Sequence, residues 1–131
     1  MITEKDDAFE VLDNDLVVST CRRDPWSWRL ELHSPDVTWT LTIGGAFSIM
    51  QSTVDKSAAT TEAVADLLGQ SVVAMRARKA DSELEVRFGD GWVLTVEPDA
   101  DYEAWEMYST RGERLIAVPG DGVAKWGEIH R

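Results

Sequence analysis

The sequence is poor in residues that form disulfides or bind metal ions. Among its 131 residues there is one cysteine, Cys21, so no disulfide can form within the chain. Its two histidines, His33 and His130, are far apart, and no His-x-x-x-His, Glu-x-x-His or Cys-x-x-Cys spacing occurs. We therefore expect neither a structural nor a catalytic zinc site, and no cofactor.

Long apolar runs are also missing. No stretch approaches the ~18 residues that cross a bilayer, and the polar residues at the start do not resemble a signal peptide. A lone thiol agrees with a reducing compartment. These features predict a cytoplasmic protein with a single domain over residues 1–131.

Basic residues are scarce, because 13 Lys and Arg stand against 24 Asp and Glu, for a net charge of −11. Such a surface repels nucleic acid phosphates and anionic lipids, so neither nucleic acid nor a membrane is expected as a partner. It favours a basic protein as partner, although solubility alone would also explain an acidic composition. The oligomeric state, including a homodimer, is left open.

The strongest structural signal is an alternation of apolar and polar residues on both sides of a glycine-rich turn. Apolar side chains occupy every second position over 84–88 and again over 92–96, around Gly89-Asp90-Gly91. Residues 28–32 and 39–43 alternate in the same way. Both patterns predict β-hairpins.

The two hairpins also indicate an internal repeat. Residues 28–32 correspond to 84–88 at an offset of 56, and residues 39–43 correspond to 92–96 at an offset of 53. We predict a first half over 9–50, a linker over 51–59, and a helix plus second half over 60–126. A twofold repeat of this kind predicts a pseudo-twofold domain.

One short helix is predicted between the halves, over Thr60–Leu68, with Thr60 or Thr61 as its cap and Gly69 at its end. The predicted fold class is therefore α+β, mainly antiparallel β, with two similar β-meander halves packed around a shared core. Whether the halves form a sandwich or a partly open barrel is left open.

The second half contains several short motifs. They are Leu68-Gly69, Leu84-x-Val86-x-Phe88-x-Asp90-Gly91, Val96-x-Pro98-Asp99, Tyr102-Glu103-Ala104-Trp105 and Pro119-Gly120-x-Gly122-x-Ala124-x-Trp126. Over about residues 66–126, the chain resembles a family of small bacterial, actinobacterial-type domains of unknown function. The resemblance implies no activity and no catalytic residues. In size, charge and fold class such proteins look like the immunity proteins found beside secreted toxins, which is an analogy.

An acidic segment, Glu97–Glu106, follows the second hairpin and contains five carboxylates but no Lys or Arg. Four of them, Asp99, Asp101, Glu103 and Glu106, are candidate binding residues that would steer and hold a basic partner. Their spacing does not match an EF-hand loop, so no metal site is predicted and a solvated loop is the simpler interpretation.

Two groups are candidates for chemistry. By parity, Glu103 shares a face with Trp105, where burial would raise its pKa and suit it to acid–base catalysis. The simpler interpretation is an edge position open to solvent. The neighbouring arginines would lower the pKa of Cys21, but no general base accompanies it. No catalytic residue is predicted, and we do not expect an enzyme.

Six tryptophans are many for this length. Trp28, Trp39, Trp92 and Trp105 face the core by parity. The alternation of apolar and polar residues does not place Trp26 and Trp126 in the core. Each is therefore a candidate binding residue that could anchor an interface or stack on a sugar. The simpler interpretation is that they cap the core.

These features support two hypotheses. The leading one is a non-enzymatic protein-interaction module, an immunity-like partner of a basic protein. The alternative is a domain that binds a small ligand, a sugar or a metabolite, between the two halves with Trp26 or Trp126 in the wall of the site.

Overall fold

The computed structural model describes residues 1–51, 54–55 and 61–131, and in them nearly all regular structure is β-strand, arranged in two sheets. Sheet A contains, from edge to edge, β14 (Ile129–His130), β1 (Ile2–Glu4), β2 (Ala8–Val11), β8 (Val72–Arg78), β9 (Leu84–Phe88), β10 (Val93–Val96), β6 (Phe47–Gln51) and β7 (Val54–Asp55). Sheet B contains β13 (Val123–Trp126), β12 (Arg114–Ala117), β11 (Trp105–Ser109), β5 (Thr38–Ile43), β4 (Ser27–His33) and β3 (Val17–Asp24). Neighbouring strands are antiparallel, except for the parallel pair β1 and β14.

Both predicted hairpins are confirmed. Leu84 lies opposite Val96 in the β9–β10 hairpin, and Trp28 lies opposite Ile43 in the β4–β5 hairpin. The pattern was readable because one face of each strand is buried, which makes apolar side chains recur at every second residue. Of the four tryptophans with core parity, three are buried, while Trp92 is partly buried and packs against the core.

Strands β6 and β11 each belong to the sheet opposite the one that contains the strand before them in the chain. After β5 in sheet B, β6 pairs with β10 in sheet A, and after β10 in sheet A, β11 pairs with β5 in sheet B. The exchanged strands meet at matching positions, since Phe47 lies opposite Val96 and Trp105 lies opposite Ile43. A sequence repeat would produce this exchange, and the repeat itself stays a prediction.

A single hydrophobic cluster draws on the strands of both sheets, so the layering is that of a sandwich. Trp105 of sheet B is central to it, with 1% of its surface exposed. Its Nε1 donates a hydrogen bond to the carbonyl oxygen of Ser82, at 2.7 Å, in the connection between β8 and β9. One indole thereby links the two sheets by packing and by a buried hydrogen bond.

The predicted α+β class is wrong, because the protein is nearly all β. In the part of the chain that the structure describes, the one helix is α1 (Thr61–Ala65), with five residues. The prediction also missed short strands near both ends of the chain, such as β1 and β14, which lack a long alternating pattern. These strands join sheet A and shift the balance to β.

The predicted helix over Thr60–Leu68 is too long. Beyond Ala65 the backbone continues as turns, in which the Leu67 and Leu68 amides donate to carbonyl oxygens three residues earlier. A segment this short gains too few hydrogen bonds to remain a regular helix. Residues 52, 53 and 56–60 lie outside the described residues, and with them most of the predicted linker and the cap at Thr60. In the described residues, no helix is long and apolar enough to cross a membrane.

Glu113 is a buried carboxylate in the turn between β11 and β12, with 5% of its surface exposed. It accepts hydrogen bonds from Ser109 Oγ at 2.9 Å, from Arg111 Nε at 2.6 Å and from the Ile2 amide at 3.2 Å. These bonds attach strand β1 of sheet A to a hairpin of sheet B. The charge is tolerated inside because several donors replace its water.

Asp13 extends this network from the loop after β2. Its Oδ2 accepts hydrogen bonds from Trp39 Nε1 and Arg111 Nη2, each at 2.7 Å, and lies 2.6 Å from the Met1 ammonium. Burial opposes ionisation of this carboxyl, but the three donors outweigh burial and lower its pKa to about 2.

This shift predicts an acid-sensitive contribution to stability. The pKa of Asp13 in the folded protein, about 2, lies below its usual 3.8, so ionisation stabilises the folded state above pH ~4 and is lost as the pH falls towards ~2. Urea unfolding across this range should show wild type losing about 2 kcal/mol more than Asp13→Asn. Asp36→Asn, at an exposed acid, is the control and should follow wild type. Equal losses in wild type and Asp13→Asn would contradict the assignment.

Candidate interaction surface

The acidic segment forms an irregular loop, residues 97–104, between β10 and β11. Hydrogen bonds attach both of its ends to the turn between β5 and β6. The Glu97 amide donates to the Ala46 carbonyl, and the amides of Gly44 and Gly45 both donate to the Ala104 carbonyl, each at 2.9 Å. A Cβ at Gly45 would lie 2.9 Å from the Cβ of Ala104, so glycine is what permits this contact.

Asp99 shapes the middle of the loop. Its Oδ1 accepts hydrogen bonds from the amides of Asp101, at 2.8 Å, and Tyr102, at 3.1 Å, which is an Asx turn. Asp99 itself is half-buried, whereas Asp101, Tyr102 and Glu103 are exposed. The loop therefore presents two free carboxylates on either side of a tyrosine that is 74% exposed.

Basic residues do not neutralise this loop. Within the described ranges 1–51, 54–55 and 61–131, Asp99, Asp101 and Glu103 form no ion pair with Lys or Arg. Many acids elsewhere do, among them Glu4, Asp7, Asp13, Asp24, Asp81 and Glu85. The same ranges contain no group of three or more His, Cys, Asp or Glu placed to hold a metal ion.

Glu106 differs from the other three predicted carboxylates. It lies in β11 rather than in the loop, and Arg114 Nη2 on the adjacent strand lies 3.1 Å from its Oε1. The acidic segment has no basic residue in sequence, yet the fold supplies one from β12. Glu106 is therefore neutralised, and the unpaired carboxylates of the predicted site are reduced to three.

A groove of about 320 Å³ opens beside the loop. Its walls include Trp26, Trp28, Phe47 and the backbone of Gly44 and Gly45. Trp26 sits at the tip of the β3–β4 hairpin and is 91% exposed, while only 7% of Trp28 is exposed. Because Gly44 and Gly45 both line the groove and hold the end of the loop, Trp26 and the acidic loop share one edge of the molecule.

Trp126, the other predicted aromatic residue, lies apart from this edge. It ends β13 at the far side of sheet B from β3, and 50% of its surface is exposed. The Arg114 guanidinium lies 5.3 Å from the centre of its ring. The structure thus groups Trp26 with Asp99, Asp101 and Glu103, and it groups Trp126 with Glu106 around Arg114.

The simpler interpretation of Glu103, a position open to solvent, is confirmed, and the buried acid that parity suggested is wrong. β11 begins at Trp105, because the backbone at Ala104 is bound to Gly44 and Gly45 instead of continuing the strand. Glu103 is exposed, so it lacks the desolvated environment that would suit it to acid–base chemistry. The alternation of Glu103 with Trp105 and Met107 therefore does not reflect a shared inner face.

Cys21 also differs from expectation. Burial raises the pKa of its thiol to about 11, whereas the neighbouring arginines had predicted a lower value. Its Sγ donates a hydrogen bond to the Val64 carbonyl at 3.5 Å, and Arg22 is engaged by Asp24. A thiol with a raised pKa is a poor nucleophile at neutral pH.

Tyr102 and the groove were not predicted as parts of a site. Tyr102 was noted only within a motif, although its position in a loop rich in carboxylates was a signal that its ring is exposed. The sequence predicted core positions for Trp28 and Phe47 and a bend at Gly44 and Gly45. Nothing in it indicated that these four residues line a groove.

Together these features define a class, an all-β protein of two sheets with an acidic edge that carries exposed aromatic rings. The chain belongs to the family of unknown function DUF6188, which matches residues 12–127. This confirms the resemblance to a family of unknown function, while the signature motifs and the bacterial origin stay predictions. No curated protein and no solved structure matches the chain significantly.

Proposed function

We propose that the protein is a non-enzymatic interaction module that binds a basic protein through its acidic edge, defined as Trp26, Asp99, Asp101, Tyr102 and Glu103. The observation that carries the proposal is that unpaired carboxylates and strongly exposed aromatic rings lie at one edge. The acidic loop alone would be explained by solubility. An indole that is 91% exposed does not serve solubility, and tryptophan is enriched among the residues that dominate interfaces.

Each part of the acidic edge has a physical role in such a complex. Tryptophan and tyrosine are enriched among the residues that dominate binding energy, so Trp26 and Tyr102 serve as anchors. Asp101 and Glu103 attract a basic surface and speed its association. Asp99 and the hydrogen bonds to residues 44–46 hold the loop in one shape, which lowers the entropy lost on binding.

The sharper form of the proposal is an immunity-like protein that binds a basic toxin in the cytoplasm. Its support is the small size and the net charge of −11, together with an acidic edge that is ordered before binding. The comparison with immunity proteins is an analogy of size, charge and surface chemistry.

Capture of partners from a lysate of the source organism tests the proposal. Immobilised wild type is expected to retain a basic protein at about 50 mM NaCl and to release it at about 500 mM, since salt screens the charges. The double variant Asp101→Asn/Glu103→Gln and the single variant Trp26→Ala should each lose it.

The matched control is Asp6→Asn/Asp36→Asn, which removes two exposed carboxylates elsewhere and changes the net charge equally. It should retain the partner. Recovery of no basic protein, or equal recovery by all variants, would contradict the proposal.

The groove beside Trp26 favours a second candidate, binding of a small ligand that stacks on aromatic rings. Its volume of about 320 Å³ is at the lower end of the range for ligand sites. Its walls come from residues 23–47, so this groove is not formed between the two predicted halves. A thermal-shift screen of sugars and metabolites separates the candidates. A shift lost in Trp26→Ala but kept in Asp101→Asn/Glu103→Gln would favour the ligand over the basic protein.

A further inference from the structure

A second surface combines exposed aromatic rings with balanced charge. It is the outer face of sheet B, made of the side chains that point away from the core along β3, β4, β5, β11, β12 and β13. The strand registers place three arginines and three acids on this face, namely Arg22, Arg29, Arg114, Asp24, Glu31 and Glu106. The face is electrically neutral in a chain whose net charge is −11.

Each of the three arginines on this face forms an ion pair with an acid of the same face. Arg22 Nε lies 3.0 Å from Asp24 Oδ1, and Arg114 Nη2 lies 3.1 Å from Glu106 Oε1. Because these pairs are satisfied before any partner arrives, the face offers little attraction to a strongly basic or strongly acidic protein. A basic partner is drawn instead to the unpaired carboxylates of the acidic edge.

Trp126, Arg114 and Tyr108 lie side by side on three adjacent strands at one end of the face, and we call this row the aromatic ladder. Arg114 lies directly between Trp126 and Tyr108 on the two adjacent strands, with its guanidinium 5.3 Å from the centre of the indole. Trp126 is 50% exposed and Tyr108 is 42% exposed. Tryptophan, tyrosine and arginine are the residue types most enriched among the dominant contacts of protein interfaces.

From this neutral face with its exposed ladder, we infer that the outer face of sheet B binds a second copy of the chain as a symmetric dimer. Two copies that each carry −11 repel one another, and a face that contributes no net charge lowers this repulsion where the copies meet. In a dimer with a twofold axis through this face, both copies contribute the same surface to the interface. The aromatic ladder of each copy then packs against sheet B of the other copy.

The size of the face sets the expected strength. Six strands at ~4.8 Å spacing and ~17 Å of strand length give ~500 Å² on each copy, or ~1,000 Å² in total. This is at the low end for specific interfaces, and the repulsion between copies acts against it. The dimer is therefore weak and forms reversibly with concentration.

Sedimentation velocity of the full chain over a wide concentration range tests the inference. We expect dimer formation to be stronger at about 500 mM NaCl than at about 50 mM, because salt screens repulsion between the two copies. Binding of a basic partner has the opposite salt dependence, so failure of this inference and failure of the proposed function are distinguishable.

Three variants locate the contact. Trp126→Ala and Tyr108→Thr each remove one ring and should raise the dimer dissociation constant at least about tenfold. Arg114→Glu makes the face acidic and should abolish the dimer. Leu12→Ala, at an apolar side chain of similar exposure in the loop after β2, is the control and should dimerise like wild type.

Circular dichroism on each variant separates loss of the dimer from loss of the fold, and the two ring deletions are independent of each other. A wild type that stays monomeric at about 500 μM at both salt concentrations would overturn the inference. So would a dimer that persists in all three variants.

Discussion

Replacing Trp105 by alanine is expected to lower the free energy of unfolding by about 4 kcal/mol. The indole is 1% exposed and lies in the core between the sheets. Its removal leaves a cavity that the flanking strands cannot fill, and it leaves the Ser82 carbonyl without its donor. Urea unfolding followed by far-UV circular dichroism measures the change.

Trp26→Ala is the matched control, because it makes the same substitution at an indole that is 91% exposed. It should change the free energy of unfolding by less than about 0.5 kcal/mol. Similar losses in the two variants would mean that Trp105 does not hold the two sheets together in the way described.

Glu113→Ala is expected to cost about 3 kcal/mol, for an electrostatic reason. The carboxylate is 5% exposed and accepts hydrogen bonds from Ser109, Arg111 and Ile2. Removing it leaves buried donors unpaired and releases the attachment between β1 and the β11–β12 hairpin. Chemical unfolding at neutral pH measures the loss.

Two further variants separate charge from shape. Glu113→Gln keeps the volume of the side chain and accepts hydrogen bonds without the charge. Its free energy of unfolding should therefore lie between that of wild type and that of Glu113→Ala. Glu103→Ala removes an exposed acid and should change the free energy of unfolding by less than about 0.5 kcal/mol. A loss in Glu113→Ala no greater than in Glu103→Ala would contradict a structural role for the network.

The candidate surface was only partly readable from the sequence. The acidic segment and Trp26 stood out because neither carries a core pattern, and both are at the surface in the structure. Nothing in the sequence related them, since about seventy positions separate Trp26 from the loop. They become neighbours because β6 and β11 each cross to the other sheet, which sets the 44–46 turn against the end of the loop.

The placement of β11 in sheet B also explains why Glu106 and Glu103 have environments that differ from those suggested by the sequence. Glu106 seemed equal to Asp101 along the chain, but it lies in β11 beside Arg114 of β12 and is neutralised there. Parity offered a Glu103 that faces inward with Trp105 as one of two interpretations, but β11 begins at Trp105, so Glu103 lies in the loop and is exposed. The alternation of inward and outward side chains holds only within a continuous strand, and the sequence did not show that β11 begins at Trp105.

By itself, the sequence determined the hairpins, the burial of their alternating faces and the excess of negative charge, because each depends on residues close together in the chain. Tertiary structure alone decided the all-β class, the strand exchange, the neutralisation of Glu106 and the placement of Trp26 and the acidic loop beside the same turn at residues 44–46. These features depend on pairings between strands distant in sequence, whose partners a local pattern does not specify.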